Sequence, residues 1–445
     1  MIGLALAYLR DRAGQTALNV LLLALAVASL VALLLVSARV EDRFARDAAG
    51  VDLVVGAKGS PLQLILSAVY HLDQPTGNVP VETLALLRAD PGVARAIPLA
   101  LGDNFRGFRI VGTEPAFLAL HGSKLVEGRL WEAPMEAVIG AEVARRTGAR
   151  LGQKFLGSHG LGADEEGAMA HDHAPFVVTG ILAPTGTVAD RLILTSVESV
   201  WDVHGIAHDE APGSAHAHDD GHDHGHAHDH GHAHDHDHAH AVKADPAGTE
   251  GGAASPLAAR GGPAPEVTAV LVSYASPAAA IRLPAAINRQ TALQAAVPAQ
   301  ETARFLTLFD GAIAGARALA LLIAAAAALS IFTVLLSAAR ARAGDLALLR
   351  VMGASPARVF GTILAEGLLV AAAGALLGLL IGHAAVEAAA RAFPTLGGIG
   401  LSGLAFHPGE WGILAGALVL GALAALVPAA AGFRTDLAAT LARAQ

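Results

Sequence analysis

Four apolar stretches, each about as long as a bilayer is thick, constrain this chain more than any other feature of it. A membrane span needs about 20 apolar residues, because roughly 1.5 Å of rise per residue must cross a hydrocarbon core about 30 Å thick. Ala17–Ser37 carries no charge, Ala318–Ala339 is fenced by Arg317 and Arg340, Val359–Ile381 holds one ionisable residue, Glu366, and Trp411–Ala431 opens on an aromatic suited to the interface. A cleaved signal peptide is the rival for the first stretch, but its apolar run exceeds the usual core of about 7 to 15 residues, so it reads as an anchor. Composition agrees: of 445 residues only 16% are charged and 53% are hydrophobic, against about 25% charged in an ordinary soluble protein. The absence of cysteine excludes disulfides, thiolate zinc sites and cysteine nucleophiles, and the net charge of −9 gives no footprint for nucleic acid.

Short loops orient the spans. Arg10 and Arg12 precede the first, and Arg340, Arg342, Arg350 and Arg358 lie between the second and third, which places both sites and both termini in the cytoplasm by the positive-inside rule. The segment from Arg39 to Arg317 then lies outside. The fold class expected is therefore a membrane α-helical bundle of four transmembrane helices, plus an α+β extracytoplasmic domain of two small lobes inserted between helices one and two. Candidate strands in that domain are Val51–Val55, Phe108–Val111, Ala137–Ile139, Phe176–Leu182, Arg191–Leu194 and Val267–Tyr274. Candidate helices are Pro61–His71, Val81–Ala89, Ala141–Thr147 and Pro277–Gln290.

Within the third span, Gly374, Gly378 and Gly382 recur at spacing four and predict a face on which another helix backbone approaches closely. Ala24, Ala28 and Ala32 repeat the spacing in the first span, where they read as the ordinary alanine content of such a helix. Glu366 has two readings: a functional carboxylate, since burying a charge in lipid is costly, or a side chain that snorkels to the headgroups or stays protonated. Gly56-Ala-Lys58-Gly59-Ser60-Pro61 suggests a phosphate cradle but fails the P-loop pattern, as does every other segment, so it reads as a turn before a proline-started helix. Any ATP-driven activity must borrow its motor.

Between Trp201 and Val267 lies a stretch with twelve histidines and six aspartates in residues 216–240: His216, His218, His222, His224, His226, His228, His230, His232, His234, His236, His238 and His240. It has no apolar face and predicts a disordered loop over 204–265. Alternating imidazoles with carboxylates suit Zn²⁺, Cu²⁺ or Ni²⁺, in many interchangeable sites rather than one tetrahedral site. A metal-collecting or metal-sensing loop, an incidental low-complexity insertion and a pH switch are the readings. His159, His171 and His173, near Asp164, Glu165, Glu166 and Asp172, read as a solvated polar loop.

The order of span, large outer domain and three further spans, together with Arg340-Ala-Arg342-Ala-Gly-Asp345-Leu-Ala-Leu-Leu-Arg350-Val-Met-Gly353-Ala354-Ser355, resembles the permease family of FtsX, the lipoprotein-releasing permeases LolC and LolE, and the membrane part of the exporter MacB. Glu366 followed by the glycine repeat, Pro428-Ala429, and the terminal Asp436-Leu-Ala-Ala-Thr-Leu are further matches; Asp345 stands where Glu is commoner. The resemblance implies residues 1–39 as cytoplasmic N-terminus and first helix, 40–303 as a MacB-like periplasmic domain, and 304–445 as an FtsX-like domain. It also implies a bacterial inner-membrane location. The protein would be a non-catalytic permease subunit of an ABC transporter, with ATP bound only through a cytoplasmic ATPase and no tightly held cofactor. Arg342, Asp345, Arg350 and Gly353 would form the ATPase-coupling surface. The Arg340–Arg358 element reads as a short amphipathic helix on the inner membrane surface. Implied partners are membrane lipid and a second permease subunit, in a homodimer or a close heterodimer; the His-rich loop, separately, suggests a cargo or partner linked to zinc, a periplasmic zinc-binding protein or lipoprotein, and an FtsX-like activator of a cell-wall hydrolase is the alternative function. Deleting residues 216–240 is expected to remove most zinc uptake by the outer domain in titration calorimetry, and unchanged uptake would end the metal reading.

Overall fold

The computed structural model describes residues 2–159, 175–206, 264–342, 344, 351–393 and 400–433. Four long apolar helices form the membrane bundle: helix one (Ala13–Asp47), helix two (Pro298–Ala341), helix three (Pro356–Ala392) and helix four (Glu410–Phe433). A shorter helix, Ile2–Asp11, precedes helix one. At 35 and 44 residues, helices one and two are about 50 and 65 Å long, well beyond the thickness of the hydrocarbon core. Both continue past the bilayer on the side of the inserted domain and form its stalk. Proline opens helices two and three at the first helical position, where its missing N–H costs nothing and its fixed φ suits the helix.

Helix three is the centre of the bundle. Its buried residues, among them Thr362, Glu366, Val370, Gly374, Gly378, Gly382 and Val386, recur at steps of three and four, so one face is turned inward along its whole length. A Cβ on Gly374 would stand 3.0 Å from Leu23 Cβ, one on Gly378 2.6 Å from the Ala24 carbonyl oxygen and Val27 Cβ, and one on Gly382 3.0 Å from Val31 Cβ. The glycine face therefore lies directly on helix one, against the Ala24 and Ala28 side, where both alanines are buried. The other half of this contact is made by the Ala24 and Ala28 carbonyls with the Leu23, Val27 and Val31 side chains. A second close approach joins helices three and four, where Gly367 faces Ala425 and Gly421 faces Ala371. In mid-bundle the Ser330 hydroxyl of helix two donates to Asn19 Oδ1 of helix one at 2.6 Å, which satisfies two polar groups that lipid cannot.

The inserted domain is mixed α/β. Leu293–Ala296, Leu53–Ala57, Ala269–Tyr274 and the first half of Val93–Phe105 form an antiparallel sheet. The second half of Val93–Phe105 pairs with Phe108–Gly112, and the order continues through Ile193–Thr195, Glu136–Ile139, Phe176–Leu182 and Leu125–Gly128. One strand thus belongs to both lobes. The two halves also share a core, because Val54, Ile97, Leu99, Val111, Val138 and Leu194 bury against Phe117, Tyr70 and Leu182 in one cluster. Their alternate neighbours fill separate cores beneath each half: Leu53, Val55 and Val270 in one, Ile110, Ala137, Ile139 and Ile193 in the other, as the two-residue period of a strand requires. The long strand was not among the expected elements because Pro98 interrupts its pattern. Pro98 is tolerated beside the place where the strand changes partner, at Leu99 and Ala100. The helix expected at Pro61–His71 ends at Ala68, and His71 takes φ 54°. Ser60 accepts from the Gln63 amide as its N-cap, so the Gly56–Pro61 segment is the end of a strand, a turn and a capped helix start.

Alanine at Gly378 is expected to lower the thermal midpoint of the detergent-solubilised chain, at a cost of about 1–3 kcal/mol for overpacking. Alanine at Gly416, which meets nothing within 4 Å, should leave it unchanged. Equal effects of the two would show that the helix one contact carries no stability.

Candidate functional site

No cleft in the described residues gathers a nucleophile, a base and an orienting group. The polar side chains concentrate instead at joints between elements, at the two ends of the bundle and at the foot of the inserted domain.

The first joint is at the end of the bundle opposite the inserted domain. Helix two runs through Arg340 to Ala341, and Arg342 is its C-cap. Arg342 Nη1 lies 3.7 Å from Glu366 Oε1, and Nη2 lies 3.8 Å from Asp11. The Arg342 and Glu366 side chains are 11% and 6% exposed, so the pair is screened by protein, and it ties the end of helix two to the third turn of helix three. Glu366 is thus neither isolated nor snorkelling. The sequence nominated Arg342 and Glu366 for separate reasons, and only the fold brings them together. Gly353, with φ 100°, supplies a conformation that L side chains rarely adopt just before Ser355 and Pro356 open helix three. Val351 and Met352 beside it are 63% and 69% exposed. Asp345 and Arg350 lie outside the described residues. The expected surface helix from Arg340 to Arg358 is corrected at both ends: Arg340 belongs to helix two and Arg358 to helix three, because no helix breaker intervenes before Arg342 and Pro356 is a helix starter.

The second joint is at the foot of the inserted domain, and nothing in the sequence reading singled it out. Arg43 of helix one forms a buried ion pair with Asp47 at 2.9 Å and donates to the Gly186 carbonyl at 3.0 Å, while Arg191 lies 3.8 Å from Asp47. Asp190 accepts from the amides of Thr185 and Gly186, which holds that loop in shape to meet helix one. On the other side of helix one, the Phe44 ring meets Tyr70 edge-on at 4.5 Å and Phe305 of helix two at 5.9 Å. Tyr70 Oη is 2.5 Å from the Thr302 hydroxyl of helix two. Burial pushes His121, packed on Phe117, down to about 4, and holds His71 well below the ordinary histidine range, with Arg109 adding to the effect. Both rings are neutral at neutral pH. Burial also lowers Arg191. The signal that would have found this joint is Arg43 and Asp47 at spacing four on a helix leaving the membrane.

The third joint closes the connection between helices three and four on the side of the inserted domain. His383 Nε2 is 2.8 Å from Glu410 and its Nδ1 is 2.6 Å from the Gly403 carbonyl, while Glu387 accepts from the Gly403 amide and from Arg391. The twelve histidines from His216 to His240, with His171, His173 and the acids beside them, lie outside the described residues. Among the described residues no three His, Asp or Glu side chains are grouped to hold a metal.

Residues 16–214 match the family described as the MacB-like periplasmic core domain, and residues 317–436 match the FtsX-like permease C-terminal domain. The chain is an FtsX/MacB-type permease. As such it is a non-catalytic, multi-pass membrane subunit of an ABC transporter, its inserted domain is periplasmic, and its motor is a partner ABC ATPase. Similar solved structures include the periplasmic region of MacB from Actinobacillus actinomycetemcomitans, at 9% identity over 59% of this permease and 95% of that chain, with a TM-score of 0.32. Another is the extracellular domain of the noncanonic ABC-type transporter YknZ from Gram-positive bacteria, at 11% identity over 55% of this permease and 98% of that chain, with a TM-score of 0.28. A domain of a putative permease from Porphyromonas gingivalis aligns at 18% identity over 35% of this permease and 65% of that chain, with a TM-score of 0.21. No curated protein matches the permease.

Replacing Arg342 with alanine removes the ion-pair partner of the Glu366 carboxylate, and should destabilise the permease by about 3 kcal/mol. Adding Glu366→Gln to that variant should recover most of the loss. Thermal unfolding in detergent checks both, and a neutral Arg342→Ala would remove the ion pair from the account.

Proposed function

We propose that the permease transmits strokes of a cytoplasmic ATPase to its periplasmic domain, with both termini and the segment between helices two and three on the cytoplasmic side. The observation that carries this reading is the continuity of the two stalk helices. Helix one ends at Asp47, six residues before the strand Leu53–Ala57, and helix two begins at Pro298, two residues after the strand Leu293–Ala296. Those two strands pair with each other. A tilt of either helix at its inner end therefore enters the same sheet, and the Arg43–Asp47–Gly186 joint carries it into the second lobe as well.

At the inner end, Val351 and Met352 are exposed beside Gly353 and offer an apolar patch suited to a groove on a motor subunit. Arg342, Asp345, Arg350 and Gly353 form this coupling surface. A dimer of permeases flanked by two ATPase copies is the working assembly. The His216–His240 stretch links the cargo or partner to zinc, as a periplasmic zinc-binding protein or a lipoprotein; the chemistry of alternating imidazole and carboxylate supports this.

Reversing Arg342 and Arg350 to glutamate is expected to abolish stimulation of the partner ATPase in reconstituted membranes while the complex still assembles. Full stimulation by the double variant would overturn the coupling role.

A further inference from the structure

Arg342 has a third neighbour, on the helix that also carries Asp11 and that the coupling reading does not use. The helix Ile2–Asp11 lies across the inner ends of the bundle. Ala5 is fully buried, and Leu9 packs on the cluster of Ile331, Leu335, Val370, Ala424 and Ala425 from helices two, three and four. The Thr16 hydroxyl donates to the Leu9 carbonyl at 3.1 Å and fixes the corner into helix one. Tyr8 stands three residues after Ala5, on the same face of this helix, and meets Arg342 at the end of helix two.

The guanidinium carbon of Arg342 is 3.8 Å from the centre of the Tyr8 ring, and Nη2 donates to the Tyr8 carbonyl at 3.3 Å. This stacking occupies one flat face of the guanidinium and leaves its edge for carboxylates. That edge is where Glu366 stands, at 3.7 Å. An ion pair of that length has no hydrogen bond of its own to direct it, so the direction must come from whatever restricts the long arginine side chain. Tyr8 restricts it twice, by ring and by carbonyl.

We propose that Tyr8 is a positioning residue for coupling: its ring holds the Arg342 guanidinium edge-on to Glu366, so that a push on the segment after helix two enters helix three through the charge pair. The helix Ile2–Asp11 is then a third member of the coupling platform, with helices two and three. The inference rests on the coupling reading above for its role, and on the geometry alone for its contact.

The test compares Tyr8→Ala, Tyr8→Phe, Arg342→Ala and the double variant Tyr8→Ala/Arg342→Ala in the full chain, reconstituted with its ATPase. Tyr8→Ala should cut ATPase stimulation about fivefold. Tyr8→Phe keeps ring and carbonyl and should stay within about twofold of the parent. In the Arg342→Ala background, loss of the tyrosine should change nothing further. Equal stimulation by Tyr8→Ala and Tyr8→Phe, or a further loss in the double variant, would overturn the proposal. A second readout needs no motor: tryptic cleavage after Arg342 in the detergent-solubilised chain, followed by mass spectrometry, should be several-fold faster in Tyr8→Ala than in Tyr8→Phe. Equal rates would overturn the contact itself. A parent chain that stimulates no ATPase would instead sink the proposed function, and the tryptic comparison would still decide on Tyr8.

Discussion

A backbone that crosses lipid must satisfy its own N–H and C=O groups, and here two of the helices that do so continue unbroken into water. Everything outside the bilayer depends on that continuity. Helix two needs no turn or hinge between Pro298 and Ala341, so the inner end of the bundle and the last strand of the periplasmic domain, Leu293–Ala296, are connected by a single rod. Motion at one end has no loop in which to dissipate.

Rods transmit only if they keep their register, and two kinds of contact set it. Glycines of helix three admit the backbone of helix one so closely that a methyl group would collide with it. Polar pairs then fix the sliding coordinate: Arg342 with Glu366 at the inner end, Ser330 with Asn19 in the middle, and Arg43 with Asp47 and the Gly186 carbonyl at the foot of the domain. Buried pairs of this kind add little net stability, because desolvation offsets much of the attraction. They penalise every arrangement that separates them, which is what a register needs.

The periplasmic domain continues the same logic in β-structure. Its two halves share the strand Val93–Phe105 and one face of core, so they are coupled lobes rather than beads on a chain. Helix one reaches both, through Phe44 against Tyr70 in the first half and through Arg43 against the Thr185–Asp190 loop in the second.

The spans and their number were legible in the sequence because lipid imposes one length and one polarity on any helix that crosses it, whereas the extensions of helices one and two to Asp47 and Pro298 were not; the short elements Ala141–Thr147, Phe176–Leu182 and Pro277–Gln290 were legible because local periodicity and proline starts determine them. The family resemblance rested on residues near the inner face for a similar reason: a cationic segment ending in a positive-φ glycine is a local pattern. What only the tertiary structure decided was the pairing of residues far apart in the chain. Glu366 and Arg342 stand 24 positions apart, and Arg43 and Gly186 stand 143 apart. The strand through Pro98 could be placed only once its change of partner was known. No periodicity encodes such meetings, since each follows from how separately stable elements pack, and packing is settled by shape and burial over the whole molecule.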